Sequence, residues 1–90
     1  KTIAAIKTRV ADAERAIERA ERTVNRQSAE QERIRANLAA LPETSDSAKS
    51  YIAKLARAEK AIEEAEAARA ADQAKADRER TALDAAIAAF

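Results

Sequence analysis

The stretch IAAIKTRVADAERAIERAERTVNRQSAEQERIRANLAAL, residues 3–41, decides the fold. Ile3, Ile6, Val10, Ala13, Ile17, Ala20, Val24, Gln27, Gln31, Ile34, Leu38 and Leu41 recur in it at alternating steps of three and four. That spacing keeps one narrow face of a helix turned toward a partner helix along its whole length. A single Pro and a short polar stretch follow, and then a second helix-like run of similar length. The expected fold is all-α: an antiparallel two-helix coiled-coil hairpin, able to pair with a second copy into a four-helix arrangement.

Composition supports this. The chain has 90 residues, no Gly, no Cys and one Pro, Pro42. Without Gly, turns that need positive φ are disfavoured, and with them hairpin-rich β structure and Gly-rich phosphate loops. Ala, Glu, Arg, Lys, Ile and Leu dominate, and this mixture with a 3.5-residue period marks a coiled coil. Tyr51 and Phe90 are the only aromatics, so a core of normal thickness is not expected. No 18-residue apolar run is present to span a membrane.

The residue before a Pro is pushed out of the helical region, so helix one should run from about residue 2 to about 40. A connector at about 41–45 follows, with Thr44 or Ser45 as N-cap. Helix two should run from about 46 to about 89, with Asp46 in its first turn against the positive helix end. A connector this short makes the helices antiparallel neighbours. Paired residue numbers should sum to about 89 or 90, a register set by seam alignment. Ile34 then lies near Leu55, Leu38 near Tyr51 and Ile52, Ala13 near Ala76, Ile6 near Leu83 and Ile3 near Ile87. The phase of helix two is ambiguous between Arg69 and Leu83, where Glu79 and Arg80 compete for the seam and Arg69 can pair with Asp72. The whole reads as a single hairpin, residues 1–90, cut from a larger protein, with Ile3, Ile87 and Phe90 turned toward the parent.

Net charge is +1, so there is no global polybasic signal. Residues 1–41 carry nine Lys/Arg and six Asp/Glu, and residues 42–90 carry eight and ten. This mild opposition suits pairing between the helices. Arg15, Arg19, Arg22, Arg26 and Arg33 form a line opposite the seam. Such a line could track phosphates. The interleaved Glu residues and the lack of stacking aromatics favour a solvated coiled-coil face instead. On helix two, Ala61, Ala68 and Ala71, continued by Ala82, Ala85 and Ala89, give a column of small residues away from the seam. It is a candidate surface for another helix.

Other features point to structure. Glu59, Glu63, Glu64 and Glu66 cluster on helix two, but the chain has no His to complete a helical di-metal motif. Gln27 and Gln31 take consecutive seam positions, where polar residues fix register at a cost in stability. Tyr51 has no base or oxyanion site nearby in sequence. No catalytic residue, metal site or cofactor is expected.

Glu30, Gln31, Arg33, Ile34, Arg35, Asn37 and Leu38, followed after the turn by Tyr51, Lys54, Leu55, Glu59 and Ile62, carry a resemblance. The run resembles a helical hairpin in the C-terminal domain of unknown function of bacterial mucoidy inhibitor A-type proteins. It covers about 35 residues closely and departs after Ile62, where this chain has Ala in place of larger aliphatics. The resemblance implies a bacterial, β-rich parent domain from which the hairpin projects, and no reaction. Three readings of function follow: a structural or protein-interaction arm, a nucleic-acid-binding arm using the Arg line, or an engineered hairpin. The first is preferred, with a protein partner or self-association.

Overall fold

The computed structural model describes residues 2–90, in two helices: α1, Ile3–Ala39, and α2, Asp46–Ala89. They lie side by side in a rod of 68 × 14 × 13 Å. The long axis is what the 44 residues of α2 demand at ~1.5 Å per residue. The radius of gyration is 20.0 Å, where a compact chain of this length would have about 12 Å. The surface, 6213 Å², exceeds the roughly 5,100 Å² of a compact monomer of this mass. Burial is therefore confined to one seam.

Each helix starts on a hydroxyl cap. The Thr2 side chain accepts a hydrogen bond from the Ala5 N–H at 3.0 Å, and Ser45 accepts one from Ala48 at 3.0 Å. Both caps have extended backbone, the conformation that lets a short oxygen reach an otherwise unpaired amide. Asp46 sits in the first turn of α2, where its charge faces the positive helix end. α1 ends as the Ala40 and Leu41 amides bond back to Asn37 and Leu38 carbonyls, and the Ser45 amide bonds to the Pro42 carbonyl at 3.1 Å. Among the described residues none has positive φ. The reversal thus needs no Gly, which explains how this chain turns without one.

Cross-helix bonds fix the register. Arg9 pairs with Glu79, Asn37 with Tyr51, Arg69 with Glu21 and Gln31 with Glu59. The numbers in these pairs, each with a member at the seam, add to 88 or 90, while the Arg80–Glu14 pair outside the seam is offset and adds to 94. Antiparallel coiled coils stack in such layers, so Ile34 meets Leu55, Ile6 meets Leu83, Ala13 meets Ala76 and Leu41 meets Ala48. Ile6, Ala13, Ala20 and Ile34 of α1 and Ala48, Ala58, Ile62, Ala65 and Ala76 of α2 are buried.

Along α2 the half-buried and buried positions continue without a break through Arg69, Asp72, Ala76, Glu79, Leu83 and Ala86. Glu79, not Arg80, takes the seam position. The stretch that looked ambiguous is a regular seam carrying three charged residues. Arg69 reaches Glu21 at 3.2 Å on the other helix, where the sequence pointed to Asp72. Its stem covers apolar surface while its head stays in water. Arg9 meets Glu79 at 2.5 Å. The Arg9 Nη2 atom is sheltered and has no hydrogen-bond partner among the described residues.

Two aliphatics fall outside the seam. Ile52 and Ile87 are each 52% exposed, one step past the seam positions held by Tyr51 and Ala86. At the tip, Ile34, Leu38, Leu41 and Leu55 lie in the seam with Tyr51, and half-exposed Ile52 lines a shallow trough beside Leu38, Leu41 and Ala48. The partner of Ile3 at the open end is Ala86 rather than Ile87. Phe90 is fully exposed.

Gln31 is only 7% exposed, and its amide donates to Glu59 Oε2 at 2.9 Å. A buried amide satisfied by one partner in one register penalises slipped pairings, which would leave it unsatisfied. We expect Gln31→Leu to raise the melting temperature while loosening register. Melts followed by circular dichroism, with amide hydrogen exchange near residue 31, check this. A lower melting temperature would mean the amide bond outweighs its desolvation.

Candidate interaction surface

In the antiparallel hairpin each flank of the seam is built from both helices. One flank holds Ala16, Arg19 and Thr23 of α1 beside Ala61, Glu64 and Ala68 of α2, which together line an open trough. Nearer the tip the same flank carries Arg26, Glu30, Lys54 and Arg57 around a second shallow trough. The other flank brings Glu21, Val24 and Asn25 of α1 beside Glu66, Arg69 and Ala70 of α2.

This geometry redistributes the residues singled out in the sequence. Arg15, Arg19, Arg22, Arg26 and Arg33 are all exposed, along two adjacent columns of α1. Arg15 and Arg22 project from the back of α1. Arg15 pairs with Asp12, and Arg22 sits 3.9 Å from Glu18. Arg19, Arg26 and Arg33 turn onto the first flank. The column of Ala61, Ala68 and Ala71 lies on that same flank, with Ala61 half-buried and the others exposed. The structure thus brings together two features that looked separate: a run of Arg from one helix and a floor of small residues from the other. Small side chains from both helices, Ala16 and Ala61 among them, line this trough.

Arg33 donates to the Glu30 carboxylate through Nε at 3.1 Å and also through Nη2. These hydrogen bonds, with the charges of Arg33 and Lys54, hold the Glu30 carboxyl below its ordinary range. The same contacts hold the Arg33 guanidinium more firmly protonated. Both side chains are about half open to solvent, so this pair orders the flank rather than the fold. At the tip, Asn37 Nδ2 donates to the Tyr51 hydroxyl at 3.5 Å, and the Lys54 ammonium lies 5.3 Å from the ring centroid. Tyr51 is half-buried at the seam beside these polar partners.

The acidic cluster of α2 also divides. Glu59, Glu63 and Glu66 face the second flank, and Glu64 faces the first. Among the described residues no group of acidic side chains is placed to hold a metal ion. No helix is long and apolar enough to cross a membrane.

Sequence reasoning missed Lys54, Arg57 and Lys75 on the first flank, because their side of α2 depends on a phase that the Ala-rich sequence leaves open. The signal was present in their spacing from Ala61 and Ala68, which repeat every seven residues with Lys54 and Lys75. No family model, no curated protein and no solved structure matches this chain.

Proposed function

We propose that this chain is a structural and protein-interaction arm of a larger bacterial protein, a stiff hairpin that presents one flank to another helix. The observation that carries this reading is the 68 Å rod whose seam runs unbroken from Ile3 to Leu41 against Ala48 to Ala86, with Arg19, Ala61 and Ala68 in one trough on its side. A seam of this kind resists bending because every layer is held by its neighbours. The likeness of Glu30–Leu38 and Tyr51–Ile62 to the mucoidy inhibitor A-type hairpin supports a parent of that kind. Thr2 and Phe90 lie together around one shallow pocket at the open end. The connector lies at the opposite end of the rod.

A spacer has to keep its length. Spin labels at Glu43 and Ala85 should give a narrow distance distribution centred near ~60 Å, the rise of the intervening helix. A broad or much shorter distribution would show a hinge at the charged layers of Arg69, Asp72 and Glu79 and would overturn the spacer role.

A further inference from the structure

The two flanks carry opposite charge. In each helix a flank is made of two heptad columns. On the first flank these run through Arg9 and Arg19 in α1 and through Lys54 and Arg57 in α2. They hold eight Lys/Arg and three Asp/Glu. The corresponding columns on the second flank, through Glu14 and Glu18 and through Glu59 and Glu63, hold four Lys/Arg and nine Asp/Glu. A chain of net charge +1 is therefore strongly two-sided.

Internal ion pairs take up charge on both flanks, with Arg9 of the basic flank held by Glu79, and Glu21 and Glu18 of the acidic flank held by Arg69 and Arg22. Asp12 and Glu30, two of the three anions of the basic flank, are taken by Arg15 and Arg33. On the acidic flank, Arg80 is taken by Glu14 and Asp77. Among the described residues, Arg19, Arg26 and Arg57 have no salt bridge on one side, and Glu32, Glu63 and Glu66 have none on the other.

We propose that hairpins associate side by side, the basic flank of one copy lying on the acidic flank of the next. This rests on the interaction-arm reading and names the partner as a second copy of this chain. Charge complementarity selects the partner. The small-residue floor of the basic flank lets the acidic helix pair come close. The rod's length and width offer about the ~800 Å² per partner of a standard interface. A two-fold pair through the Ala61–Ala68 column, the arrangement the small residues alone would favour, sets Arg19 and Arg26 of one copy against those of the other. A two-fold axis brings the same patch onto itself, so segregated charge disfavours it. The contact is instead heterologous, and a heterologous contact that does not close propagates into open arrays. Each exposed pair is weak and screened by salt, so the assembly forms only where several pairs act together at low ionic strength.

Sedimentation velocity of the whole chain tests this, with the wild type and two variants. The wild type at about 20 mM salt, where charges act over more than ~10 Å, should rise in mean mass past the dimer as concentration increases. At about 300 mM it should return to the monomer. A basic-neutral variant (Arg19→Gln, Arg26→Gln, Arg57→Gln) and an acidic-neutral variant (Glu32→Gln, Glu63→Gln, Glu66→Gln) should each be monomeric with unchanged helicity. Mixed in equal amounts, they should form a one-to-one dimer that grows no further, because each retains one intact flank. A wild type that stays monomeric, a dimer with a ceiling in the wild type, or variants that associate like the wild type would each overturn the proposal. So would a monomer whose basic flank shifts duplex RNA instead. A monomer that still gives the narrow tip-to-base distance would remove this inference and leave the arm intact. A broad distance would remove the arm itself.

Discussion

Ile34→Ala should be the most damaging single truncation in the tip half of the hairpin. Ile34 is 1% exposed and is the largest fully buried side chain described. Removing its outer carbons forfeits their burial and leaves a void between the helices. Such changes cost about 2–5 kcal/mol in well-packed sites, and a two-helix seam that can partly close around the gap belongs near the lower end. Leu38→Ala and Leu55→Ala should cost less, because both residues are half-buried. Ile52→Ala should change little, since half of that side chain is already in water. Chemical denaturation followed by circular dichroism gives the order. If Ile52 proved as costly as Ile34, α2 would be rotated by about one position from the phase described.

The second large effect concerns the thinnest part of the seam. Ala76 is 0% exposed and Ala13 opposite it is 2% exposed. Two alanines in one layer draw the backbones together, and nothing larger fits without pushing them apart. Ala76→Leu should therefore destabilise by about 1–3 kcal/mol despite adding apolar surface, the usual consequence of overpacking. Ala74→Leu, two residues away on the exposed back of α2, is the control and should be close to neutral. Thermal melts of the two variants decide this. Equal melting temperatures would mean that the helices do not approach closely at this layer.

Why these positions matter could be read in α1 from sequence alone, because its large aliphatics fall on one stripe. The same reading fails in part of α2 for a physical reason. Ala is small enough to suit a seam and soluble enough to suit a surface. Ala65 and Ala76 are buried while Ala67 and Ala74 are exposed, and the letter alone does not separate them. Ile52 and Ile87 mislead in the opposite way. They look like seam residues and sit one step beyond it, because the positions before them are filled by Tyr51 and Ala86. Glu79 lies in the seam because Arg9 reaches across to it, a contact seventy residues apart in sequence.

The candidate surface was legible as two halves. The Arg residues of α1 and the Ala column of α2 each stand out by spacing. That Arg19, Arg26 and Arg33 share a flank with Ala61 and Ala68 follows only once the register is fixed. In an antiparallel pair, equivalent flanks of the two helices face the same side. The acidic flank was hidden for the same reason. Glu18 lies near Arg22 of its own helix, but Glu14 and Glu21 pair across to Arg80 and Arg69 of α2. Glu63 and Glu66 continue the acidic side on α2.

The seam and the two charged flanks depend on one register. Nuclear Overhauser contacts between methyl groups measure it directly, and the seam offers a pair near each end of the rod. Contacts from Ile34 to Leu55 and from Ile6 to Leu83 are expected in the same sample, at a concentration and salt where the chain is monomeric. Contacts from Ile34 to Ile62, one heptad away, would contradict it, and with it the two-sided charge that the register creates.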